Sequence, residues 1–120
     1  MDIAAMIAEI RRHPEFNRAG MVLAHNGVVR ATARDGRRVK GLRVAVDHGR
    51  LKSVLAEQKK RSGIVDIRVE IAEDRDLAVG EDVMLLVVAG DIRENVIAVL
   101  SDTLNLIKAT VTAKTEYFAS

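Results

Sequence analysis

GDIRENVIAVLSDTLNLIKATVTAKTEYF, residues 90–118, contains both a long helical pattern and the change of period that ends it. Asp91 followed three residues later by Glu94 has the D-x-x-E form of a capping box, so the first turn is expected here. Ile92, Val96, Ile97, Leu100, Leu104 and Ile107 recur at three- and four-residue spacing. That spacing predicts a core-facing stripe on a helix about 25 Å long, ending on Lys108. Ala109-Thr110-Val111-Thr112-Ala113 then alternates small and β-branched residues, which predicts a strand. Lys108 and Lys114 therefore flank a helix-to-strand transition.

Working outward, Val83 to Ala89 is a nearly continuous apolar run that predicts a central strand leading straight into this helix. Ile64 to Ile71 alternates inward Val65, Ile67, Val69 and Ile71 with outward Asp66, Arg68 and Glu70, a half-buried strand. Between Asp47 and Ser62 the spacing of Leu51, Val54, Leu55 and Gln58 is helical, with Gly63 placed to follow the helix end. Val39 to Val46 predicts a strand with Lys40, Leu42, Val44 and Val46 facing inward. Met21 to Ala24 and Val28 to Thr32 read as two strand pieces around a turn at His25-Asn26-Gly27, since Asn-Gly is a strong hairpin signal. Asp35-Gly36 marks a second turn. Residues 2–12 form a short helix that Pro14 ends. The order βββαββαβ predicts an α+β fold, one domain over residues 1–120, with a mixed or antiparallel sheet, two main helices and a short N-terminal helix.

The chain has 120 residues, 48% of them hydrophobic, and no cysteine. Disulfides, thiolate metal sites and a cysteine nucleophile are thereby excluded. No run approaches a membrane span and the N-terminus lacks the order of a signal peptide, so a soluble, cytoplasmic protein is expected. Net charge is only +2, yet Arg30, Arg34, Arg37, Arg38, Lys40 and Arg43 fall within fourteen positions that hold one acid, Asp35. That cluster favours an anionic partner. Nucleic acid is disfavoured, because none of the two Phe and one Tyr lies in the cluster to stack on bases. His13, His25 and His48 share no metal-ligand spacing and read as surface residues. No P-loop, nucleophile elbow or dinucleotide fingerprint is present. On the residues alone, function stays open.

Taken in order, several segments resemble the large, catalytic subunit of molybdopterin synthase. Gly27-Val28-Val29 followed by Arg34 resembles that family's opening strand and arginine, and Leu77 to Val83 its L-x-x-G-E/D-x-x-V turn. Arg93 stands where the family carries a His-Arg pair. Leu106-Ile107-Lys108 through Lys114-Thr115-Glu116 is similar to its closing L-K...W-K-x-E segment. The resemblance implies an α/β hammerhead-type domain that forms a homodimer within a heterotetramer with two ubiquitin-like sulfur carriers. It implies sulfur transfer from the carrier's C-terminal Gly-Gly thiocarboxylate to cyclic pyranopterin monophosphate, a pterin phosphate, without a cofactor or metal. Lys108 and Lys114 would be catalytic, and Arg34 and Arg93 would bind substrate. Ile92 replaces the family's histidine, and the segment between the lysines lacks the family's Pro and Trp and is one residue shorter. The alternative is a diverged, non-catalytic relative that binds a small partner protein or an anionic ligand. A third reading, from another class, is a small basic RNA- or protein-binding module.

Overall fold

The computed structural model describes residues 1–120. The apolar run becomes β5 (Asp82–Gly90), the middle strand of an antiparallel sheet ordered β1-β5-β3, with β1 at Met21–Val28 and β3 at Ile64–Ile71. Both faces of β5 are covered, which explains why its sequence does not alternate with polar residues. Leu86 and Val88 pack with Ile64, Ile67, Val96 and Val99 under α3 (Arg93–Thr110). Leu85, Val87 and Ala89 pack on the opposite face against Met6 and Ile10 of α1 (Ile3–Ile10).

A second antiparallel sheet is ordered β4-β2-β6, from β2 (Val39–Val46), β4 (Leu77–Ala78) and β6 (Thr112–Phe118). Its core is Val29, Leu42, Val44, Ala72 and Leu77. The helix α2 (His48–Lys59) packs on α3, and Val54, Met84, Ile107 and Val111 form a further cluster. Asp47 Oδ1 accepts from the Arg50 N–H at 3.0 Å and starts α2 as an N-cap. Gly63 holds φ +79°, the left-handed conformation that lets the chain reverse into β3. No helix is long and apolar enough to cross a membrane. The fold is α+β, as the element pattern implies, but its six strands divide into two sheets.

Several local expectations give way to packing, among them the inward Lys40 of β2: a bulge between Val39 and Gly41 buries those two and leaves Lys40 exposed. Asn26-Gly27 makes no turn: β1 runs through it, paired residue by residue with β5, and the only irregularity is a bulge between Gly27 and Val28. The uninterrupted ladder offered by β5 outweighs a local turn preference, and the reversal occurs at Gly36, where φ is +90°. Two strands therefore precede α2, and the sixth is the short β4. Asp66 is buried, not outward, because a register shift between Ile64 and Asp66 turns it inward. There it accepts from the Ile67 N–H at 2.9 Å and Arg68 Nε at 3.0 Å, with Lys59 Nζ 3.5 Å away.

Asp91 and Glu94 form no capping box. The N-cap is Ile92, and Asp91 Oδ1 accepts from the Ile92 N–H at 2.7 Å and from Asn95 Nδ2 at 2.9 Å. The Asn95 hydrogen bond and the Ile92 N–H together hold the Asp91 carboxyl below its ordinary range. The helix also runs two residues past Lys108. Its buried line is Val96, Val99, Thr103 and Ile107, while Ile92 and Ile97 are 53% and 50% exposed. Facing β5 and α2 together rotates the stripe, and the buried Thr103 hydroxyl donates to Gln58 Oε1 across the helix pair at 3.3 Å.

Ile107 is fully buried at the junction of the two sheets. Ile107→Ala is expected to lower the unfolding free energy by about 2–5 kcal/mol, read from the shift of the urea midpoint at constant slope. A loss under about 1 kcal/mol would place this side chain outside the core.

Candidate functional site

The end of β1, the loop leading to β2, the last turn of α3 and β6 border an open cavity of about 800 Å³. Its charged lining is Arg30, Arg34, Asp35, Lys108, Lys114 and Glu116. A deeper recess of about 290 Å³ shares Arg34, Lys108 and Lys114 and has an apolar wall that includes Val44, Ile71, Val83 and Met84. Three of the four residues singled out in the sequence thus meet at one place.

Each is held by its own element. Lys108 follows the fully buried Ile107, which fixes the direction of the last helical turn. A lysine at a helix C-terminus commonly serves the terminal carbonyls. Here the Leu106 and Ile107 carbonyls accept from the Thr110 and Thr112 hydroxyls at 2.7 and 3.4 Å. The Lys108 ammonium has no partner in the chain and lines the cavity. On β6, Lys114 and Glu116 sit two residues apart and so share a face, opposite Val44 and Leu42 of β2. Their charged atoms are 4.0 Å apart, a loose ion pair.

In the loop, Arg30 Nε donates to the Thr32 carbonyl at 2.8 Å. Asp35 accepts from the Arg37 N–H at 3.0 Å and from Arg37 Nε at 2.8 Å, and these hydrogen bonds hold its carboxyl below the ordinary range. Its charge is therefore committed to Arg37. The Arg34 side chain, like that of Lys108, has no partner within the chain. Two unpaired cations and a weakly paired third around one cavity form a site for an anion, and the arginine can grip phosphate or carboxylate in forked geometry.

Arg93 is elsewhere. It begins α3, fifteen residues before Lys108, or about 22 Å along the helix axis. Its side chain is 79% exposed and Nε donates to Glu94 at 3.2 Å. Within one protomer it cannot join the other three.

Sequence reasoning overlooked Arg30, Asp35 and Glu116 as lining residues, and it misplaced His25. Glu116 carried a usable signal, since period two puts it on the strand face of Lys114. His25 is half-buried on β1, and its proton affinity is lowered first by burial and then by the charge of Lys108. No local pattern could reveal this, because Lys108 lies 83 residues away in sequence. No cluster of three or more His, Asp or Glu side chains is placed to hold a metal ion.

Among solved structures, the molybdopterin cofactor biosynthesis protein E of Burkholderia multivorans ATCC 17616 is similar to this chain with a TM-score of 0.77 and 18% identity, covering 100% of this chain and 87% of that one. Molybdopterin synthase from Staphylococcus aureus has a TM-score of 0.71 and 18% identity, covering 86% and 77% of the two chains. The complex of subunits 1 and 2 of molybdopterin-converting factor from Helicobacter pylori 26695 has a TM-score of 0.71 and 17% identity, covering 100% and 85%. These likenesses establish the fold. No curated protein matches the sequence. The model of the MoaE protein family matches residues 1–110, and this chain therefore belongs to the MoaE family of molybdenum cofactor biosynthesis, to which molybdopterin synthase large subunits belong.

Proposed function

We propose that this chain is the sulfur-transferring large subunit of a molybdopterin synthase. The observation that carries the reading is the meeting of Arg34, Lys108 and Lys114, drawn from three separate elements, around one cavity. The carrier is a small ubiquitin-like protein whose extended Gly-Gly thiocarboxylate tail enters the cavity, and the acceptor is cyclic pyranopterin monophosphate. Arg34 binds the phosphate or the tail's terminal anion. The thiocarboxylate sulfur bonds to a pterin side-chain carbon as that carbon's oxygen substituent leaves with a proton. Water then adds to the carrier's carbonyl carbon and breaks the acyl–sulfur bond, which restores the carrier's carboxylate and leaves the sulfur on the pterin. Lys108 and Lys114 stabilise the negative charge that develops on the way, and one of them handles the proton.

Ile92 offers no imidazole, and in its own protomer it stands at the far end of α3 from Lys108. His25 is the imidazole within the electrostatic reach of Lys108. It does not itself line the cavity, so it takes no step in the transfer.

Arg93 takes part only across a subunit boundary. Ile92 and Ile97 lie exposed beside it on α3, an apolar surface suited to a symmetric contact. A homodimer that places each Arg93 at its partner's cavity, with one carrier bound to each protomer, accommodates all four sequence-selected residues. The exposed Ile92 and the shortened Lys108–Lys114 segment favour a second reading, a non-catalytic relative that binds the carrier without turnover.

Reconstitution with a thiocarboxylated Gly-Gly carrier and cyclic pyranopterin monophosphate separates the two. Product is expected, and Lys108→Ala and Lys114→Ala should each slow its formation at least tenfold, about 1.4 kcal/mol of transition-state stabilisation. Carrier binding without product selects the second reading, and full activity in both variants removes the lysines from the site.

Because burial and Lys108 lower the His25 pKa below its ordinary 6.5, the neutral imidazole is lost only as pH falls through that lowered value. In an NMR titration the His25 ring signals should therefore shift with a midpoint below 6.5. Lys108→Ala should raise that midpoint; a midpoint the substitution leaves unmoved would remove Lys108 from the surroundings of His25.

In solution the chain is expected to scatter light as a dimer at tens of micromolar, and Ile97→Asp should yield a folded monomer. A wild-type monomer at that concentration would rule out the shared site.

A further inference from the structure

The loop from Arg30 to Arg38 is the most basic segment of the chain, yet its arginines play different parts. Arg30 lines the cavity but is engaged with Thr32, and Arg34 lines it with no partner. Arg37 does not line the cavity. Gripped by Asp35 through its N–H and Nε, its guanidinium lies 3.8 Å from the centroid of the Phe118 ring. Phe118 is the last residue of β6 and sits opposite Val39 at the start of β2. The next amide, of Ala119, donates to the Arg38 carbonyl at 3.0 Å.

By strand alternation Lys114, Glu116 and Phe118 share one face of β6. The first two line the cavity, and the third meets the loop that carries Arg34. One strand face thus sets both the position of a candidate catalytic lysine and the position of the loop. We infer that the Asp35–Arg37–Phe118 stack is a latch, with Arg37 and Phe118 acting as positioning residues that hold Arg34 at the cavity wall for binding the anionic substrate.

The physical argument is one of order. A nine-residue loop closed by few hydrogen bonds, here Ala33 N–H to the Arg37 carbonyl at 2.9 Å, Gly36 N–H to the Ala33 carbonyl at 3.0 Å and Val39 N–H to the Ala31 carbonyl at 2.9 Å, would open locally at low cost. Four like charges within it add repulsion. Asp35 offsets one of those charges, and the aromatic face gives the Arg37 cation an anchor outside the loop. With the loop fixed, Arg34 meets the ligand already ordered, so the benefit falls on binding and leaves the chemical step unchanged. The inference rests on the sulfur-transfer reading for its ligand but not for its structural half.

The test is amide hydrogen exchange at Ala33, Gly36 and Val39 in the full chain, with steady-state sulfur transfer measured alongside. In Phe118→Leu and Arg37→Ala these amides should exchange about tenfold faster while those of β5 hold their rates. The KM for the pterin phosphate should rise about tenfold with kcat within about twofold. Phe118→Tyr, which keeps an aromatic face, should match wild type in both measurements. Unchanged loop exchange in Phe118→Leu and Arg37→Ala overturns the latch. Faster exchange with an unchanged KM, or an equal rise in KM in Phe118→Tyr, overturns the positioning role. A wild type with no sulfur transfer whose loop exchange still responds as described sinks the sulfur-transfer reading and upholds the latch.

Discussion

Burial of β5 on both faces is the constraint from which the rest of the architecture follows. A strand with apolar side chains on each side must be covered twice, and α1 and α3 supply the two layers. The β5–α3 junction has almost no freedom. A side chain at Gly90 would come within 2.8 Å of the Gly63 carbonyl oxygen and of Val96, so the chain passes from strand to helix through a point only glycine fits. The direction of α3 is set there, and eighteen helical residues carry its far end beyond the first sheet to the second. Lys108 reaches the cavity as a consequence of how a strand at the other end of the helix is packed.

The site shows how unpaired charge can be maintained in a small domain. Several exposed basic residues in this chain have partners: Arg43 bonds Asp76 and the Asp74 carbonyl, Arg61 pairs with Asp102, and Arg68 bridges Glu9 and Asp66, while others such as Arg12, Arg50 and Lys52 stand alone in solvent. Around the cavity the unpartnered cations converge on one space. Helix-end carbonyls that would attract Lys108 are taken by threonine hydroxyls, and the one acid in the arginine loop is taken by Arg37. Each of these local bonds leaves a cation free to face the cavity. What sets Arg34 and Lys108 apart from the unpartnered cations elsewhere is that, with Lys114, they line one cavity, which favours an anion there.

Much of the fold was legible where burial acts on one segment at a time. The unbroken apolar run of β5 and the helical spacing of α2 each encode their own exposure pattern, and the structure keeps them; the alternation in β2 holds from Leu42 onward, but a bulge between Val39 and Gly41 inverts it before that. Failures occurred where a neighbour supplied what local signals could not. Asn26-Gly27 is a turn sequence held straight by pairing with β5. Asp66 is a polar residue in an outward register that a bulge rotates inward to meet Lys59 and Arg68. The α3 stripe is offset because a second helix competes with the sheet for its face.

The candidate site divides along the same line. By itself the sequence determined that the chain folds as α+β, that a helix hands over to a strand between two lysines, and that an arginine-rich loop lies well before them. These are properties of adjacent residues and of their periodicity. Only the tertiary structure decided that Arg34, Lys108 and Lys114 meet while Arg93 stands at the opposite end of α3, and that His25 lies in the field of Lys108. The physical reason is that charge–charge proximity depends on distance through space, which long-range strand pairing sets and sequence spacing does not reveal.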